Sequence, residues 1–262
     1  MSDAPITPNL NAPDPDPWAE LKDFTTARIA LGRSGTSVPL REALAFRLAH
    51  AHARDAVYSA LEAELLLAGL TELGMASERI SSQAKDRQQY LQRPDWGRRL
   101  DEKSSAQLAA VAGEGCDVII MLADGLSAKA TNDHALPLLR LLLPQLRAAG
   151  LRVGPVVLAE QARVALGDEV GQLLKARLVL MLIGERPGLS SPNSLGAYLT
   201  YGPKIGLTDE ARNCVSNIRP EGLSHLAAAH KLFYLLSEAL RRKLSGVGLK
   251  DEHDLLAEWI AH

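Results

Sequence analysis

Apolar residues are grouped differently in the two halves of the chain. In the first half, Leu40, Leu44 and Leu48 recur at helical spacing, and a second helical run covers residues 61–73. In the second half, apolar residues form short uninterrupted runs separated by helical segments. Such runs are typical of buried parallel strands, here at residues 118–123, 153–158 and 178–183.

The segments around these runs indicate the fold class. Helices are predicted at residues 136–148, 170–175 and 223–244, and candidate further strands at 197–200 and 213–217. Strands that alternate with helices are typical of α/β proteins. We therefore predict an α/β fold, a Rossmann-like open parallel sheet with helices on both faces, preceded by an N-terminal helical domain.

The same patterns divide the chain into four parts. Residues 1–17 are rich in Pro, Asp and Asn and predict a disordered tail, because few apolar side chains are present to offset the entropy of ordering. We expect a helical domain at 18–105 and a Rossmann-like domain at 106–249. A short amphipathic extension follows at 250–262.

Composition and charge argue against several classes of protein. The 262 residues include 29 basic and 31 acidic side chains, so no strong field favours nucleic acid or an anionic membrane. Cys116 and Cys214 form no CxxC pair, which makes a zinc site or a disulfide framework unexpected. The N-terminus does not resemble a secretory signal, and no apolar run is long enough to span a bilayer. A cytoplasmic location is the expectation.

Ligands of open parallel sheets bind beyond the carboxyl ends of the strands. That rule selects three loops, at residues 123–128, 159–164 and 184–191, and residues 214–222 are a fourth candidate. Asp124 is either a polar group of a cleft or a turn residue that bonds its own backbone. Glu185 and Arg186 are either cleft residues or a surface ion pair.

These loops lack the motifs of common catalytic sites. The sequence contains no GxGxxG after a strand, no Walker A motif, no HExxH and no GxSxG. A self-sufficient hydrolase or transferase that uses Ser127 and Asp124 stays open as an alternative. The polar segment at residues 83–99, with Tyr90 and Trp96, is either a solvated face or a partner interface.

Seven phrases, in order along the chain, resemble the small (light) subunit of ethanolamine ammonia-lyase. They extend from about residue 20 to residue 250. The phrases are FTTARIALGRSG, LAHAHARDAV, YLQRPDWGRRL, ADGLSA, IGERPGL, CVSNIRPEG and AAAHKLFYLLSEALRRKLSGVGLK. Their number and order make the resemblance far more specific than any one of them alone.

The resemblance implies a subunit that acts with a larger, barrel-shaped subunit in a higher oligomer of heterodimers. Together such subunits convert ethanolamine to acetaldehyde and ammonia with adenosylcobalamin. The large subunit is expected to bind substrate and carry the radical chemistry, so this chain is expected to hold no catalytic residue. Some relatives enter a bacterial microcompartment, and the resemblance leaves encapsulation open.

The resemblance also assigns cobalamin contacts. Val164, Glu185 and Cys214 match family contact positions, where Glu185 can accept hydrogen bonds from corrin amides and the other two can pack on the macrocycle. Further contacts are expected at Ser127, Arg186, Ser216 and Asn217. The chain has no DxHxxG motif, so the cofactor is expected to keep its dimethylbenzimidazole lower base. A purely structural adaptor without cofactor contacts is the third interpretation.

Overall fold

The apolar runs form a six-stranded mixed sheet in the computed structural model, which describes residues 16, 18–25 and 27–251. The strands are β1 (Ser77–Ser81), β2 (Cys116–Ala123), β3 (Val156–Glu160), β4 (Ala176–Gly184), β5 (Leu195–Tyr201) and β6 (Arg212–Ile218). Their spatial order is β1-β3-β2-β4-β5-β6. β1 to β4 are parallel to one another, whereas β5 is antiparallel to both β4 and β6.

The α/β class is confirmed, but the prediction of an all-parallel sheet is wrong at β5. Residues 185–194, which join β4 to β5, contain no helix. A parallel crossover needs about a dozen residues or more, usually including a helix. The chain therefore turns back and pairs antiparallel, with Met181 opposite Tyr198.

Seven α-helices accompany the strands in the described part of the chain. They are α1 (Leu40–Tyr58), α2 (Ala63–Glu72), α3 (Arg87–Gln92), α4 (Glu102–Val111), α5 (Ala128–Ala148), α6 (Leu166–Leu173) and α7 (His225–Arg242). α5 begins two turns before the predicted start, because the polar residues that open it carry no apolar periodicity. It also continues through Pro137 and Pro144.

Helices cover both faces of the sheet. Side chains of β2 alternate between the two faces, with Ile120 and Leu122 in one core and Ile119 and Met121 in the other. The first core includes residues of α2, α5 and α7, and the second includes residues of α4 and α6. Burial on both faces explains why β2 and β4 are continuous apolar runs in the sequence.

β1 lies inside the range predicted for the N-terminal helical domain. It pairs with β3 along its whole length, so residues 77–81 contribute to the main sheet. The sequence SERIS has no apolar run, because β1 is an edge strand with only Ile80 deeply buried. Its polar composition hid it from pattern analysis.

The described chain divides into two compact units. Residues 55–187 and 192–251 hold the sheet, and residues up to 54 with 188–191 form the other unit. In the smaller unit α1 begins directly after Pro39, as the spacing predicts, and Leu40, Leu44 and Leu48 are exposed. The predicted tail at residues 1–17 and most of the extension at 250–262 lie outside the described residues.

Candidate functional site

A cavity lies where the strand order reverses. The chain passes from β2 to β3 on one side of β2, then returns to β4 on its other side. Ligands of such sheets bind in the crevice at this switch point, beyond the carboxyl ends of the strands. The cavity has a volume of about 450 Å³, and its walls include Gly125 and Leu126 after β2, Arg163 and Val164 after β3, and Glu185 and Arg186 after β4.

Two glycines let the loops after β2 and β4 touch. Gly125 has a φ of +54°, and its Cβ, if present, would overlap the Gly184 carbonyl oxygen. A Cβ on Gly184 would in turn overlap the Ser127 carbonyl oxygen. The N–H of Leu126 donates to the Gly184 carbonyl oxygen over 2.9 Å. This backbone contact brings the two loops together at one edge of the cavity.

Asp124 joins the loop after β2 to the loop after β3. Its carboxylate accepts hydrogen bonds from the N–H groups of Gln161 at 2.9 Å and Ala162 at 3.0 Å, and lies 3.5 Å from the Arg87 guanidinium. Burial raises the pKa of the Asp124 carboxyl to about 6, although these partners favour the ionised form. Asp124 thus stabilises the cavity wall indirectly, because its hydrogen bonds hold the loop after β3.

Glu185 is held in place from one side of its carboxylate. Oε2 accepts hydrogen bonds from the Ser194 hydroxyl and from the Asn217 N–H, the latter at 3.2 Å. Asn217 has a φ of +59°, and its side chain accepts a 2.8 Å bond from Arg219. Among the described residues Oε1 accepts no hydrogen bond, and Glu185 is one of the residues that line the cavity.

Cys214 and Ser216 extend the site along β6. Cys214 pairs with Tyr198 of β5, and Tyr198 lines the cavity. Cys214 and Ser216 are exposed, whereas Val215 between them packs into the core with α7. Partial desolvation by the neighbouring residues raises the pKa of the Cys214 thiol, and the negative charge of Glu185 acts in the same direction. A neutral thiol at this position offers an apolar contact.

The structure brings some of the sequence-predicted residues together and separates others. Val164, Glu185 and Arg186 line the cavity. Asn217 supports Glu185 through its backbone. Ser127, in contrast, is fully buried, and its hydroxyl donates to the Pro192 carbonyl oxygen over 2.9 Å. A hydroxyl already bonded inside the core does not favour the hydrolase or transferase alternative.

Pattern analysis missed the cavity residues Tyr90 and Arg163. Tyr90 is fully buried and its hydroxyl donates to the Ala162 carbonyl oxygen over 3.1 Å, so it is not part of a solvated face. The Arg163 guanidinium lies 4.2 Å from the centre of the Tyr90 ring. The one available signal for Arg163 was its position beside Val164. Trp96, the other aromatic residue of that segment, stacks with Arg93 at 4.4 Å.

The described residues form neither a metal-binding cluster nor a helix suited to cross a membrane. No group of three or more His, Cys, Asp or Glu side chains in the described ranges is arranged to hold a metal ion. Within the same ranges, no helix combines the length and the apolar character that a membrane crossing requires.

Comparison with known proteins gives a consistent match along nearly the whole chain. The family model for "Ethanolamine ammonia-lyase light chain (EutC)" matches residues 15–250. A protein of Azotobacter vinelandii, named ethanolamine ammonia-lyase small subunit, is 54% identical over 259 residues, which cover 97% of this chain and 93% of the relative. Proteins of the same name from Pseudomonas putida and Xanthomonas campestris are 57% and 56% identical, over 93% and 92% of this chain and 91% and 90% of their own lengths.

Proposed function

Since this chain belongs to the ethanolamine ammonia-lyase light chain family, we propose that its cavity holds one part of adenosylcobalamin while the large subunit holds the rest. The chain is a lyase subunit, and the name small subunit implies a large-subunit partner. We propose that these heterodimers assemble further into a higher oligomer. They would convert ethanolamine to acetaldehyde and ammonia.

The cavity residues fit a share of this cofactor. Val164, Leu126 and Tyr198 offer apolar surface for a macrocycle. Glu185 offers one carboxylate oxygen that no described residue uses, and corrin side-chain amides are donors that it can accept from. A cavity of about 450 Å³ is too small to enclose a whole cobalamin. That size supports a site completed by another polypeptide.

The observation that carries the proposal is the pair of hydrogen bonds that holds the Glu185 carboxylate. Ser194 and Asn217 fix Oε2, so Oε1 is oriented before any ligand arrives. A pre-oriented acceptor loses little conformational entropy on binding. Adenosylcobalamin supplies the radical chemistry when bound, and this chain's residues bind it, orient it and exclude water from it. We assign substrate binding and the elimination step to the large subunit.

We further propose that the cofactor keeps its dimethylbenzimidazole lower base. No histidine of the described residues is among those that line the cavity. EPR of the cob(II)alamin state in the assembled enzyme tests this directly. We expect nitrogen superhyperfine splitting that is unchanged when the histidines of the protein are labelled with ¹⁵N. A splitting that changes on labelling would show a protein ligand.

We also make proposals about the fold and the cellular location of the chain. We propose that β2, α5, β3, α6 and β4 form a Rossmann-like unit, because the strand order β3-β2-β4 has α5 and α6 in opposite cores. We also propose an N-terminal helical domain and a cytoplasmic enzyme. Entry into a bacterial microcompartment would involve residues 1–17, outside the described part of the chain.

Cobalamin binding by the assembled enzyme tests the proposed site. Glu185→Ala should weaken cyanocobalamin affinity about tenfold, the usual effect of losing a hydrogen bond to a charged group. Cys214→Trp should weaken it through steric overlap with the macrocycle. The matched control is Glu221→Ala, which removes an exposed carboxylate that pairs with Arg219. Variants that assemble with the large subunit and bind cyanocobalamin as the wild type does would support the adaptor interpretation instead.

A further inference from the structure

Arg163 lines the cavity without a counterion. Its guanidinium stacks on the Tyr90 ring at 4.2 Å, and one N–H group donates to the Tyr90 carbonyl oxygen over 3.3 Å. The Nε atom is buried and has no hydrogen-bond partner. No carboxylate of the described residues forms an ion pair with this side chain. Arg163 therefore places a cation without a counterion beside Val164 in the cavity wall.

A second arginine on the same ring has the carboxylate neighbour that Arg163 lacks, although its Nη2 atom is also buried without a hydrogen-bond partner. Arg87 lies 4.8 Å from the centre of the Tyr90 ring and 3.5 Å from the Asp124 carboxylate. It also donates to the carbonyl oxygens of Val57 at 2.6 Å and Gly125 at 2.8 Å. Asp124 already serves Arg87 and two backbone N–H groups, so it is not free to neutralise Arg163 as well.

A partly buried guanidinium without a counterion is costly, because its charge has lost water and gained no compensating anion. Its planar fork of donors matches phosphate oxygens closely. In cobalamin the corrin amides are neutral, and the anionic group is the phosphodiester of the nucleotide loop. We propose that Arg163 binds this phosphodiester. The inference rests on the proposed function and adds a second, charge-selective contact to the hydrogen-bond acceptor Glu185.

A comparison of two corrinoids distinguishes a contact between Arg163 and the phosphodiester from a general effect of the substitution on the cavity. Cyanocobalamin carries the nucleotide loop with its phosphodiester, and dicyanocobinamide lacks both. Equilibrium affinities for the two are measured on the complex with the large subunit. We expect Arg163→Gln to weaken cyanocobalamin binding about tenfold to a hundredfold, as for a charge-assisted bidentate contact. Dicyanocobinamide affinity should change by less than about twofold, within ordinary scatter for a distant change.

Arg93→Gln is the matched control, since Arg93 is likewise an arginine stacked on an aromatic ring, that of Trp96, and is not among the residues of the cavity wall. We expect it to leave the ratio of the two affinities at the wild-type value. Wild-type complex gives an independent measurement should Arg163→Gln fail to assemble. Its cyanocobalamin affinity should fall with rising salt more steeply than its dicyanocobinamide affinity, because salt screens an ion pair.

Three results would overturn the role of Arg163. They are an equal change in both affinities on Arg163→Gln, the same selective loss on Arg93→Gln, and equal salt dependence of the two ligands. Glu185→Ala distinguishes this failure from failure of the proposed function. If Glu185→Ala weakens both ligands while Arg163→Gln is not selective, only the phosphodiester contact is wrong. If Glu185→Ala affects neither ligand, the cofactor site itself is wrong.

Discussion

At the scale of single residues, the candidate site depends on contacts that the sequence pattern could predict only in part. Val164, Glu185 and Arg186 were predicted for the site and line the cavity. The sequence alone could not show that Ser127 faces the core. Ser127 is the last residue before α5, where no periodicity indicates which way a side chain points. Tyr90 was missed because its burial depends on the loop after β3, which is distant in sequence.

Gly184 should tolerate no side chain. A Cβ there would overlap the Ser127 carbonyl oxygen, and this neighbour is backbone that cannot rotate away. We expect Gly184→Ala to lower the free energy of unfolding by about 2 kcal/mol or more, as for overpacking in a core. Urea unfolding of the purified chain measures this. Gly113→Ala is the control, since nothing lies within 4 Å of its Cβ position, and a loss there as large as at Gly184 would contradict the explanation.

Asp124 should make stability fall as the pH rises through mild acid. Its pKa in the folded chain is about 6, above the usual 3.8, so folding favours the protonated form. That contribution is fully present below about pH 4 and is lost as the pH rises to about 6, by up to roughly 3 kcal/mol. The comparison is urea unfolding of the wild type and Asp124→Asn from pH 4 to 7. A wild type that gains stability relative to Asn over this range would show that the Arg87 ion pair outweighs burial.

At the scale of elements, strand positions were predictable and strand direction was not. β2 and β4 are apolar on both faces and could be located from the sequence. The reversal at β5 follows from the connection after β4, which contains no crossover helix. Its composition indicated a ligand-binding loop and gave no sign that the next strand would be antiparallel. β6 then pairs antiparallel with β5, and this pairing puts Cys214 beside Tyr198. Only β5 therefore runs in a direction that pattern analysis did not give, since β6 again runs in the direction of β4.

A buried ion pair fastens β6 to α6. Arg212 and Asp168 form two hydrogen bonds of 2.7 Å, and their side chains are 2% and 3% exposed. Asp168→Ala should cost roughly 3–5 kcal/mol of unfolding free energy, because it leaves the buried Arg212 with only the exposed Asp209 carboxylate, at 3.6 Å, as a counterion. Removing both charges in Asp168→Leu with Arg212→Met should recover part of that loss.

Chemical denaturation of the two variants measures both effects. The control is Glu238→Ala, which breaks an exposed pair with Arg241 and should cost less than about 1 kcal/mol. A loss at Asp168 no larger than at Glu238 would mean that the pair contributes little to holding β6. Cys214 and Ser216 would then owe their positions to the pairing of β6 with β5 alone.

At the scale of the whole molecule, the chain is a lyase subunit whose described cavity residues include no nucleophile paired with a base. The family resemblance in the sequence covered about residues 20–250, and the family model matches residues 15–250. Physical pattern alone reached an α/β cleft with a ligand. Periodicity could not identify that ligand, because it does not show that the loops carrying Val164 and Glu185 lie at one cavity. The proposed cofactor explains why the cavity is open and incomplete within one chain.

Hydrogen exchange of the assembled enzyme, with and without cobalamin, tests the central claim most directly. It reports on backbone amides of every loop at once. We predict slower exchange on cobalamin binding in peptides from residues 124–127, 160–165 and 184–188, the three loops that surround the cavity. Protection of the large subunit alone, with exchange in all three of these peptides unchanged, would contradict the account.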